Sequence, residues 1–104
     1  MKSVPSQAVS KEDLAPLRVQ IDKLDQVLVK IFNERSHVAN TIGHVKQQLG
    51  LPVYDPVREK EVLENVIRAN PGPLPSDAIQ RLFERVIDET RSLERQKYQR
   101  KTKQ

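Results

Sequence analysis

Residues 14–49, LAPLRVQIDKLDQVLVKIFNERSHVANTIGHVKQQL, decide the fold. Apolar residues recur at Leu14, Leu17, Ile21, Leu24, Leu28 and Ile31, then at Val38, Ile42, Val45 and Leu49. The steps alternate three and four, which lays one apolar seam along a helix. Asp13 is the expected N-cap, and Pro16 then falls in the first turn, where a missing N–H costs nothing. Gly50 ends the helix as a C′ residue, and Pro52 follows. The predicted helix runs from about Asp13 to Leu49, roughly 55 Å at 1.5 Å per residue.

Outward from this helix the chain reads as two shorter ones. Asp55-Pro56 opens the second as N-cap and N1 proline, with Val62, Leu63, Val66 and Ile67 as its apolar face. The run Asn70-Pro71-Gly72-Pro73-Leu74-Pro75 stops it. Ser76 or Asp77 is expected to cap the third, whose face is Ile79, Leu82, Phe83, Val86, Ile87, Thr90 and Leu93. No strand pattern and no repeat interrupts this order, so the fold class is all-α, three helices per chain with one very long. Residues 1–12 read as a flexible leader, 13–95 as the helical domain and 96–104 as a basic tail, frayed or disordered. A compact domain of this size is about 35 Å across, shorter than the first helix. Pairing with a second copy would bury the excess seam, so an intertwined homodimer is expected.

The 104 residues suffice for one domain, and the absence of Cys excludes disulfides, thiolate nucleophiles and Cys-based zinc sites. It also accords with a reducing, cytoplasmic location. The N-terminal residues hold no apolar run long enough for a signal peptide or a membrane span. The formal charge of +4 suggests nucleic acid at first sight. However, Arg95, Lys97, Arg100, Lys101 and Lys103 supply five of the 18 basic residues, leaving 13 against 14 acids in the body. The basicity belongs to the tail, and neither a nucleic-acid nor a membrane partner is expected.

Three features exceed what a bundle requires. Arg35 sits where the seam calls for an apolar residue, and a buried unpaired guanidinium is costly. It pairs with a carboxylate such as Glu84 or Asp88, specifies register as polar seam residues can, or binds a ligand. Lys46 lies eleven residues on, about 20° round the same face. Asp55-Pro56-Val57-Arg58-Glu59 reads as a helix cap with an exposed charge pair, and Thr90 with Glu94 as a turn-spaced polar pair on the last helix. Thr90 can bond back to a carbonyl. His37 and His44 are seven apart, too far for an i, i+4 metal pair. Neither a metal cluster nor a phosphate loop nor a nucleophilic triad emerges, so no metal and no cofactor are expected.

Taken in order, these residues resemble the all-helical chorismate mutases across roughly 14–95. The motifs are Leu17-Arg18-x-x-Ile21-Asp22-x-Leu24-Asp25, Glu34-Arg35, Ile42-Gly43-x-x-Lys46, Asp55-Pro56-x-Arg58-Glu59, and Arg81-Leu82-Phe83 before Thr90 and Glu94. The resemblance implies an isomerase of the shikimate pathway that turns chorismate into prephenate for aromatic amino-acid biosynthesis. It implies that Arg18 and Arg35 grip the substrate carboxylates and that Lys46 donates to the ether oxygen of the breaking bond. Glu59 would accept from the ring hydroxyl with the backbone near Asp55 assisting, and Arg58 and Thr90 would complete the polar lining. Glu94 would stand opposite Lys46, where many relatives carry Gln.

The rearrangement is unimolecular and pericyclic, so the protein must fold the substrate into a near-attack shape and stabilise negative charge on the ether oxygen. Guanidinium forks suit carboxylates, and an ammonium suits the point-like oxygen. Arg18 precedes Arg35 by seventeen residues, about 26 Å along one helix, so one ligand cannot touch both within a chain. An antiparallel dimer would supply Arg18 from the other subunit. Other readings are an isochorismate-pyruvate lyase of the same fold, a mutase-like regulatory domain of a shikimate-pathway enzyme, and a purely structural helical dimer.

Overall fold

Pro16 has no N–H to give to the carbonyl of Glu12, four residues back, and its ring crowds that oxygen. The chain winds the preceding turn accordingly, as a 3-10 turn over Lys11–Asp13, before the long helix α1 (Leu14–Leu49) begins. The cap is Ser10 rather than the expected Asp13. Asp13 instead occupies the third position, where its Oδ2 accepts the Ser10 N–H at 2.8 Å and its own N–H reaches the Ser10 carbonyl at 3.1 Å. A computed structural model describes the backbone of residues 9–102 and the side chains of 9–96; residues 1–8 of the expected leader lie outside them.

The other end of α1 follows the sequence reading. Gly50 adopts φ +67°, and the Leu51 N–H bonds to the Lys46 carbonyl at 2.8 Å while the Gly50 N–H bonds to that of Gln47 at 3.2 Å. This is a Schellman closure, which needs a left-handed residue that glycine supplies without strain. Helix α2 (Pro56–Ala69) starts under the Asp55 carboxylate, which accepts the Arg58 N–H at 3.1 Å. Asn70 ends it and organises the next turn, accepting from the Gly72 N–H at 3.0 Å and donating to the Leu74 carbonyl at 2.6 Å. The third helix, α3 (Ser76–Thr102), begins one residue earlier than a Ser76 cap would place it, because the Pro75 carbonyl accepts the N–H groups of Ala78 and Ile79 at 3.1 Å. Its backbone stays helical to Thr102, past the boundary expected at residue 95. Among the described residues there is no strand, and no helix is long and apolar enough to cross a membrane.

The chain divides into two units, residues 1–34 and 35–104. In the first, every described residue is exposed, including Leu17, Ile21, Leu24, Leu28 and Ile31 of the seam. In the second, Val62, Leu63, Val66 and Ile67 of α2 are half-buried, as are Ile79, Phe83, Val86 and Leu93 of α3, with Ile87 buried. Leu82, expected on that face, is exposed. The later part of α1 contributes two small buried residues, Ala39 and Gly43. A Cβ built on Gly43 would lie 3.6 Å from the Cα of Glu94, so α1 and α3 approach almost backbone to backbone there.

Candidate active site

That close approach sets Lys46, on the last turns of α1, against Glu94 of α3. The Lys46 Nζ donates to Glu94 Oε2 at 3.2 Å and to the Val53 carbonyl at 2.9 Å. The loop leaving α1 turns back through the Gly50 closure, which is how Val53 comes within reach of a lysine seven residues earlier. Only 16% of the Lys46 side chain and 8% of Glu94 remain exposed. At such burial each charge depends on the other, since desolvation of either alone is expensive. About three turns back along α1, Arg35 Nη1 donates to the Thr90 hydroxyl, which in turn donates to the Val86 carbonyl at 2.9 Å. The carboxylates weighed as partners for Arg35, Glu84 and Asp88, do not pair with it; Asp88 lies 3.5 Å from Arg91 instead. Among the described residues, Arg35 has no carboxylate within ion-pair distance.

These groups line a cavity of about 490 Å³. Its apolar wall is Val38, Ala39, Ile42, Val53, Val62 and Ile87. Its polar groups are Arg35 and Lys46 from α1, Asp55 from the loop, Arg58 and Glu59 from α2, and Thr90, Arg91 and Glu94 from α3. Seven of the eight residues singled out in the sequence therefore meet in one place. The eighth, Arg18, is exposed and is not among the lining residues. The engaged groups differ in kind. Asp55 is committed to the cap of α2, and Arg58 extends to Glu61 at 3.2 Å on an exposed face.

The sequence reading passed over Arg91. Its Nε meets Glu59 Oε2 at 3.0 Å, and its Nη2 meets Oε1 and Oε2 at 2.7 Å each. The Tyr54 ring lies 5.4 Å from its guanidinium carbon. Hydrogen bonding to Glu59 raises the Arg91 pKa above its ordinary value, against the opposing effect of burial. The only signal in the sequence was position, since Arg91 adjoins Thr90 and precedes Glu94 by three. Its partner is 32 residues away, beyond any local pattern.

The cavity carries four cationic and three anionic side chains, and among the described residues the cation without a carboxylate or carbonyl partner is the Arg35 guanidinium. Such a site suits a small anionic ligand in a largely apolar pocket. This is the architecture of an all-helical protein whose three helices each contribute charged side chains to one small cavity. The model of the family chorismate mutase type II matches residues 17–95. A bifunctional chorismate mutase/prephenate dehydratase of Aquifex aeolicus is 34% identical over 88 residues, covering 81% of this chain and 24% of that protein. A chorismate mutase of Methanocaldococcus jannaschii is 38% identical over 55 residues, 53% of this chain and 56% of the other. The solved chorismate mutase (form II) of Thermus thermophilus superposes with a TM-score of 0.78 at 34% identity, covering 80% of this chain and 94% of that one. The chain belongs to the chorismate mutase type II family. It spans about a quarter of the length of the bifunctional relatives it matches.

Proposed function

We propose that this chain catalyses the rearrangement of chorismate to prephenate. The observation that carries the reading is the convergence of Arg35, Lys46, Glu59, Thr90 and Glu94 on one mostly apolar cavity, within a chain of this family. Arg35 grips a substrate carboxylate through the fork that no protein carboxylate occupies. Lys46 donates to the ether oxygen as the C–O bond stretches, and Glu94 stands beside the same oxygen. Glu59 accepts from the ring hydroxyl, near the backbone at Asp55, and Arg58 and Thr90 complete the polar lining. Holding the substrate folded removes the entropy of finding the reactive shape. The fixed ammonium stabilises charge that exists only in the transition state, which is where binding accelerates reaction.

Arg18 belongs to the same scheme through a homodimer, in which it enters the cavity of the other subunit. The exposed seam from Leu14 to Ile31 supports this, since an apolar row of that length needs a cover. The test is direct: incubation of the purified chain with chorismate, following its loss and the appearance of prephenate. Isochorismate serves as the parallel substrate. Release of pyruvate with salicylate from isochorismate, and no prephenate from chorismate, would replace the mutase with the lyase.

A further inference from the structure

We propose that Arg91 is a positioning residue for this reaction, holding the Glu59 carboxylate in the orientation that accepts the substrate's ring hydroxyl. The inference rests on the reading of the cavity as the site of the chorismate rearrangement. The two guanidiniums at the cavity are in opposite conditions. Arg35 offers its fork with one neutral hydroxyl as partner. Arg91 has almost nothing left to offer. Its Nε and Nη2 edge is taken up by Glu59, its Nη1 faces Asp88 at 3.5 Å, and Tyr54 lies against its face. A substrate carboxylate would have to displace Glu59 to use it.

The pair also differs from the arginine pairs within single helices. Arg58–Glu61, Arg81–Asp77 and Arg85–Glu89 each join neighbouring turns of one helix on exposed faces. Arg91–Glu59 joins α3 to α2, with about a quarter of each side chain exposed. A glutamate on a helix surface has three rotatable bonds and samples many positions. A planar fork that meets both oxygens fixes the plane of the carboxylate as well as its place. A carboxylate has roughly four lone-pair sites, so three contacts still leave one for a hydroxyl proton. Arg91 thus converts a flexible acceptor into a preorganised one.

The experiment compares kcat and KM for chorismate in wild type, R91A, R91K, E59Q and the double variant R91A/E59Q, with a thermal melt for each. R91A should lose roughly tenfold in kcat with KM within about threefold, the scale of a coupled pair. R91K keeps the charge but not the fork and should recover only part of that loss. In the E59Q background, R91A should change kcat less than about twofold, because its effect passes through Glu59. An R91A loss that falls on KM and multiplies that of E59Q makes Arg91 a substrate ligand and overturns the inference. So does full recovery of kcat in R91K, or a kcat loss that follows the fall in melting temperature across the set. A wild-type protein that forms no prephenate removes the mutase reading and the inference with it. A wild-type protein that forms prephenate alongside an unimpaired R91A overturns the inference alone.

Discussion

The two stretches of α1 carry the same exposed seam and differ in the residues beside it. From Leu14 to Ile31 the apolar residues are large, regular and exposed. From residue 35 onward the buried positions are Ala39 and Gly43, and the large residues Val38, Ile42 and Val45 stay exposed. Bulk in the first stretch says that something must cover it. Smallness in the second says that α3 comes close. The chemistry collects where the helix is covered, and Arg18 is the one candidate residue left on the bare stretch. The difference teaches that the face α3 packs on lies beside the seam, at small residues such as Gly43, and that the seam itself is left, in this reading, for a second copy.

The largest expected effect lies in the covered stretch. Lys46→Ala removes the proposed donor to the ether oxygen and leaves Glu94 buried without its cation. We expect kcat to fall by roughly 10²–10³, the usual loss for one such donor. Steady-state assay of prephenate formation reads it. A loss under about tenfold would mean that the ammonium does not face the ether oxygen.

Arg18→Ala joins the two stretches in one test. It should be nearly inactive if a second copy supplies this residue. Mixing it with Lys46→Ala after subunit exchange should restore activity, because a mixed dimer has one site with both residues intact. Random pairing gives about a quarter of all sites in that state. Placing a charge on the bare seam with Leu24→Glu should dissociate the proposed dimer in sedimentation and abolish the same activity. No recovery on mixing, once exchange is demonstrated, would assign Arg18 to its own chain or to no role.

Much of this arrangement was legible in the sequence, for identifiable reasons. Helix ends were readable because caps act within a few residues: Gly50, Asp55-Pro56 and the Asn70–Pro75 break stand where expected. Arg35 and Lys46 were readable because Arg35 violates an apolar face and Lys46 shares that face. Three things escaped. Ser10 took the cap because Pro16 changes the winding ahead of it, which competes with the local preference for Asp13. Gly43 appeared only as a motif letter, because close approach of two helices depends on lacking a side chain. Arg91 looked like any solvated helix residue, because its partner is a tertiary neighbour on another helix.

Glu94 has a smaller, conditional effect. Its carboxylate, paired with Lys46 at 3.2 Å, would face an ether oxygen that gains negative charge, whereas an amide can donate to it. Glu94→Gln keeps the shape and supplies a permanent donor, so its kcat/KM for chorismate should rise above wild type. An unchanged or lower kcat/KM would place Glu94 away from the ether oxygen.

The smallest effect is expected at Gly43, and it refines what closeness means in the covered stretch. An added Cβ would stand 3.6 Å from the Glu94 Cα and 3.7 Å from its Cβ and Cγ, ordinary van der Waals separations. Gly43→Ala therefore fits without moving α3. It also removes the conformational freedom that a mid-helix glycine brings to the unfolded chain, which favours the folded state by roughly 0.5–1 kcal/mol. The melting temperature should rise by a few degrees, and kcat should change less than about threefold. Gly43→Leu has no such room. It must displace Glu94 from Lys46, at a cost of about 1–3 kcal/mol for overpacking. Its activity should fall well beyond that of the alanine variant. If alanine already lowers stability, the two helices are closer in solution than these separations allow, and the Lys46–Glu94 contact depends on glycine itself. If leucine is tolerated as well as alanine, the covered stretch of α1 is as permissive as the bare one, and the contrast between them fails.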